Sequence, residues 1–100
     1  MWDYETYEDF IKKFSREQQA NYTYVITVYN VMGTAYRAGV ATADEIFQLY
    51  PPQFTISFFE MSWPLIRDLR VVSGNREYLK PFELLYQEAR KKLSDYVPGW

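Results

Sequence analysis

Apolar side chains return every three or four positions along most of this chain, and that spacing is the period of one face of an α-helix. Tyr4, Tyr7, Phe10, Ile11 and Phe14 follow it, as do Tyr22, Val25, Val28, Tyr29, Met32, Ala35 and Tyr36. It resumes in Phe58, Phe59, Trp63, Ile66 and Leu69, and again in Leu79, Phe82, Leu85, Tyr86, Ala89, Leu93 and Tyr96. Amphipathic helices of this kind pool their oily stripes in a shared interior. The pattern therefore predicts an all-α fold, a compact bundle of four or five helices. A chain of 100 residues is too short for two well-buried cores, so one domain over 1–100 is expected. The Tyr, Thr, Val and Ile of residues 22–36 also suit a strand, but length and period favour a helix there.

The punctuation between stripes sets the boundaries. The spacing predicts a first helix over about 4–18, with acids first and Lys12, Lys13 and Arg16 last, as the helix dipole prefers. The polar run from Ser15 to Asn21 either ends it or is the solvated waist of a longer helix. Gly39 suits a left-handed cap and places the next stop near Ala38. Thr42-Ala43-Asp44-Glu45 reads as a capping box, opening a short helix that ends at Pro51 and Pro52. A further helix to about Val72 contains Pro64, which has no N–H for the Glu60 carbonyl, and a kink is expected there. Ser73, Gly74 and Asn75 make a turn. The last helix is expected over about 76–96, with Pro81 distorting its first turn or setting its true start.

Composition narrows the chemistry. Cysteine and histidine are both absent, which removes disulfides, Cys/His zinc sites, thiol nucleophiles and every triad with an imidazole base. Carboxylate and lysine chemistry remain. A net charge of −2 gives no bulk attraction for nucleic acid, and none is expected as a partner. The longest charge-free stretches, Ala20 to Tyr36 and Tyr50 to Phe59, are broken by polar residues or too short to span a bilayer, which takes about 20 apolar residues. Peripheral membrane contact stays open. With Asp3, Glu5, Glu8 and Asp9 at its start, the chain has no basic segment ahead of an apolar one, so no signal peptide is expected and a cytoplasmic location is the simplest reading.

Three groups of residues invite a functional reading. Arg67, Arg70, Arg76 and Lys80 form the densest cationic cluster away from the termini, and the turn at residues 73–75 brings them within reach of one anion or phosphate. The competing reading, a salt-bridged surface, is favoured. Glu60 and Glu83 sit among rings, where a raised pKa makes a general acid; pairing with an arginine is the favoured alternative. Asp44 with Glu45, Glu5 with Glu8 and Asp9, and Glu83 with Glu88 are weak metal candidates without a recognisable ligand loop, and isolated glycines make no phosphate loop. No metal or cofactor is expected, and no enzymatic role.

The order of Tyr29-Asn30-Val31-Met32-Gly33, Arg37-Ala38-Gly39-Val40 and Asp44-Glu45-Ile46, followed by Trp63-Pro64-Leu65-Ile66, Arg70 and Phe82-Glu83-Leu84-Leu85, resembles a small prokaryotic all-helical family of unknown function. The resemblance covers about residues 22–90 and implies a helical bundle. Members of that family often begin with a membrane helix, whereas this chain begins with an acidic amphipathic segment.

Ten Tyr, seven Phe and three Trp exceed what one small interior needs, since each enclosed ring buries roughly 150–250 Å². Surplus rings on a surface are typical of contact faces. The leading expectation is thus a helical protein–protein interaction module, meeting a protein partner or forming a homodimer, with Trp2, Tyr4, Tyr7 and Trp100 as the least enclosed rings. The alternative is a small-molecule or anion sensor built on Arg67, Arg70, Arg76 and Lys80.

Overall fold

A computed structural model describes residues 6–94. Among them are five helices and no strand: α1 (Tyr7–Lys13), α2 (Arg16–Arg37), α3 (Ala43–Leu49), α4 (Pro52–Ser73) and α5 (Lys80–Ser94). The architecture is the all-α bundle that the periodicity predicts. The segment at residues 22–36 is helical.

The first helix ends where the polar run begins, one of the two readings that run allows. Phe14 is extended (φ −100°, ψ 140°) and Ser15 starts a new helix. Ser15 Oγ accepts from Gln18 N, while Gln18 Oε1 accepts from Ser15 N, a reciprocal cap that the S-x-x-Q spelling could have announced. The carbonyls left over at the end of α1 are taken by one side chain, because Gln19 Nε2 donates to Ile11 O and Phe14 O. At the other end of α1, Thr6 Oγ1 accepts from Asp9 N and Asp68 Oδ2 accepts from Tyr7 N at 2.8 Å. A carboxylate of α4 thus sits on the positive end of α1 and fastens the two helices.

The expected capping box at Thr42 and Glu45 is formed, both bonds present, and α3 ends before Pro51. α4 runs on through Pro64, which is buried within it. The last helix starts later than the apolar stripe suggests. Asn75 Oδ1 accepts from Glu77 N, a turn that competes with helix, and Leu79 takes a left-handed conformation (φ 61°) just ahead of Lys80. Pro81 then lies in the first turn of α5, where its missing N–H costs nothing.

α5 is the hub, packed on α2, α4 and α3, with the α2 pairing the most extensive. Phe82, Leu85 and Ala89 on its inner face have no exposed surface. The approach of α2 to α5 is set by Gly33. A Cβ built there would lie 2.1 Å from Pro81 O, so only hydrogen fits. One turn earlier, Asn30 Oδ1 accepts from Phe82 N at 3.2 Å, satisfying an otherwise orphaned N–H at the start of α5 from a different helix.

Around this contact the rings stack on one another. Phe82 lies flat against Tyr29 (5.0 Å, 8°) and edge-on to Phe59 (5.1 Å, 86°). Tyr29 continues to Phe58, Phe58 to Tyr22, and Tyr22 to Phe10 and Phe14. Much of the aromatic surplus is absorbed by this chain of ring contacts from α1 to α5, each worth about 0.5–1.5 kcal/mol beyond burial.

Gly33→Ala is expected to lower stability by at least about 2 kcal/mol despite its better helix propensity, because the added methyl overlaps the Pro81 backbone. Gly39→Ala, with open space around it but φ at +77°, is expected to cost only about 1 kcal/mol. Urea unfolding followed by circular dichroism checks both, and equal losses would refute the close-approach role of Gly33.

Candidate functional site

Two surfaces stand out, a cleft between α4 and α5 and the outer face of α2. The cleft has a volume of about 600 Å³ and is lined by Phe59, Glu60, Trp63, Arg70, Glu83, Tyr86 and Gln87. Its floor and walls are rings: Phe59 stacks on Tyr86 at 4.3 Å and meets Trp63 at 5.9 Å. Because α4 and α5 form a hairpin, charges of opposite sign face each other at both ends of these rings. Arg70 of α4 meets Glu83 of α5 at 2.8 Å, and Glu60 of α4 meets Arg90 of α5 at 3.2 Å.

Arg70 organises the first of these ends. Its Nε donates to Tyr78 O at 2.8 Å, tying the 74–79 turn to α4, and its guanidinium lies 5.7 Å over the Trp63 ring. Its Nη2 lies close to Glu83 Oε1, but neither buried atom makes a well-directed hydrogen bond. Lys80 Nζ reaches the other oxygen of Glu83 at 3.2 Å. Burial pushes the Glu83 carboxyl up, yet the close approach and positive charges of Arg70 and Lys80 outweigh it and hold the group below the usual carboxylate range. Glu83 is thus a paired carboxylate, shifted in the direction opposite to the raised value that a general acid needs. At the other end Tyr86 OH donates to Glu60 Oε2 at 2.9 Å, and Arg90 lies over the Tyr86 ring. Burial first, and then the Glu60 carboxylate, raise the Tyr86 hydroxyl above its ordinary value.

Of the four cations expected to form one cluster, the fold brings three around Arg70, each with its own engagement. Arg70 and Lys80 converge, but on Glu83. Arg67 is paired with its neighbour Asp68 at 3.3 Å. Arg76 is exposed on the turn, where it borders a second hollow with Arg70, Val71 and Gly74. The acidic candidates for metal binding are also dispersed: Asp44 pairs with Lys92, Glu88 with Lys91, and Glu45 caps α3. No group of three or more potential metal ligands gathers among the described residues, and no helix there is long and apolar enough to cross a membrane.

Of the rings expected at a contact face, Trp2, Tyr4 and Trp100 lie outside the described residues. Tyr7 is 39% exposed, less than Tyr24 at 70% and Phe54 at 62%. Tyr24 belongs to the second surface. Along the outer side of α2, Gln18, Ala20, Asn21, Thr23, Tyr24, Thr27, Val31 and Thr34 are all exposed, and no charged residue occurs between Glu17 and Arg37. The hydroxyls in this face are partly engaged already, since Thr27 Oγ1 donates to Thr23 O and Thr34 Oγ1 to Asn30 O, both at 2.8 Å. The signal was present in the sequence: these are the positions left over from the buried stripe, yet they carry no charge.

Because Glu83 holds its proton less tightly when folded, the unfolded chain takes up that proton first as pH falls. The stability it contributes is complete above the ordinary carboxylate range and is lost as pH drops through the folded-state value. Urea midpoints measured from about pH 7 to about pH 3 are expected to fall in acid. Glu83→Gln is expected to flatten that fall and to cost about 1–3 kcal/mol at neutral pH. An unchanged acid limb in the variant would show that the ion pair is not the cause.

Comparison with protein-family models, with curated proteins and with solved structures finds no match to the chain.

Proposed function

We propose that the chain is a non-enzymatic helical interaction module that associates through the outer face of α2, with a second copy of itself as the simplest partner. The observation that carries this reading is the charge-free exposed face of a helix about 33 Å long, with Tyr24 at 70% and Val31 at 62% exposure near its middle. A solvated helix face ordinarily carries charges, and residues 18–36 carry none.

Two physical features support the reading. Burying Tyr24 and Val31 removes apolar surface from water, each side chain contributing up to about 1.5–3 kcal/mol if fully enclosed. The usual opposing term, desolvation of hydroxyls, is reduced because Thr27 and Thr34 keep their internal hydrogen bonds when covered. An unsigned face also suits a symmetric pair, since the same patch meets itself and no like charges confront one another across it.

Light scattering and sedimentation over a wide concentration range test this. The expected result is a reversible dimer that Tyr24→Glu and Val31→Glu each abolish, because either places an unpaired carboxylate in the contact. The unfolding free energies of the two variants should stay within about 0.5 kcal/mol of the parent monomer, as expected for exposed positions. A monomer at every concentration, or a dimer indifferent to both substitutions, would overturn self-association through α2.

A further inference from the structure

The α4–α5 cleft lies apart from the α2 face, and its chemistry points to a ligand of its own. Its volume of about 600 Å³ is in the range of small-molecule sites. Phe59, Trp63 and Tyr86 line it with ring surface, which suits a ligand with an aromatic body.

The charge of the ligand follows from the ion pairs. At the Arg70 end two cations, Arg70 and Lys80, share the single carboxylate of Glu83, which leaves that end with a positive surplus. A guanidinium has five N–H donors, and the only directed hydrogen bond from Arg70 among the described residues is the one from Nε to Tyr78 O. Arg70 lines the cleft with Nη2 held against Glu83 Oε1 at 2.8 Å, and no directed hydrogen bond among the described residues uses Nη1, which is left to meet a ligand. A cationic ligand meets the opposite situation. Both cleft carboxylates, which would attract it, are already paired with cations.

We propose that this cleft binds a planar aromatic monocarboxylate, its ring against Phe59, Trp63 and Tyr86 and its carboxylate accepting from Arg70. The site is independent of α2, so its success or failure does not bear on the dimer.

The test is isothermal titration of the whole chain with three probes that share one ring system: naphthalene-2-carboxylate, the neutral naphthalene-2-carboxamide and the cationic naphthalen-2-ylmethylammonium. The carboxylate is expected to saturate, with the amide at least about tenfold weaker, the size of one charge-assisted hydrogen bond, and the ammonium weaker still. Trp63→Leu is expected to weaken all three, whereas the double variant Arg70→Gln/Glu83→Gln is expected to erase the preference for acid over amide. Circular dichroism confirms that each variant is folded, and if the double variant is not, the series on the parent chain decides. The absence of saturable heat with the carboxylate, or ammonium binding as tight as the acid, would overturn the proposal.

Discussion

The closeness of α2 and α5 governs the interior. At Gly33 the backbone of one helix approaches the first turn of the other so nearly that a single methyl would reach the Pro81 carbonyl. That proximity lets the short Asn30 side chain reach the Phe82 N–H. It also lays the Tyr29 ring flat on Phe82. Close packing fixes side chains as a set, so the position of Phe82 propagates to Phe59, and through Phe59 to the Tyr86 and Trp63 rings that wall the cleft. The cleft is thus shaped from beneath by a contact on the far side of α5.

The outer surface follows from the same arrangement. Once Ile26, Tyr29 and Gly33 face inward, helical geometry leaves Tyr24, Thr27, Val31 and Thr34 facing outward. What this face lacks is the charge that keeps most exposed helices in water. The cleft is the reverse case, rich in charge but with each carboxylate held by a cation. One surface is thus exposed without carrying charge, and the other carries charges that are paired.

Periodicity made the helical fold legible, and local cap chemistry placed α3 and the end of α2. The polar run from Ser15 left two readings open because the apolar stripe continues across it; the structure takes the first, with Ser15 and Gln18 as the cap that ends one helix and starts the next. The start of α5 lies beside Pro81, the later of the two starts the sequence allows, and the stripe alone points earlier because Leu79 keeps the apolar spacing but takes a left-handed conformation. At the cleft, the suspicion that Glu60 and Glu83 are arginine-paired agrees with Arg90 and Arg70 as their partners. Arg67, Arg70, Arg76 and Lys80 looked like one cluster because sequence counts charges without their partners. Glu83, on which Arg70 and Lys80 converge, lies thirteen positions beyond Arg70 and reaches it only through the hairpin.

Leu79 exposes a conflict within that hairpin. A branched residue with positive φ costs of order 1–3 kcal/mol in backbone strain, and glycine would relieve it. Yet the Leu79 side chain is also packed against the core, which glycine would leave uncovered. No standard residue both relaxes the bend and fills the space. The link between α4 and α5 is therefore a compromise in which local discomfort is tolerated to keep the interior sealed, and homologous chains of this fold should have little latitude at that one position.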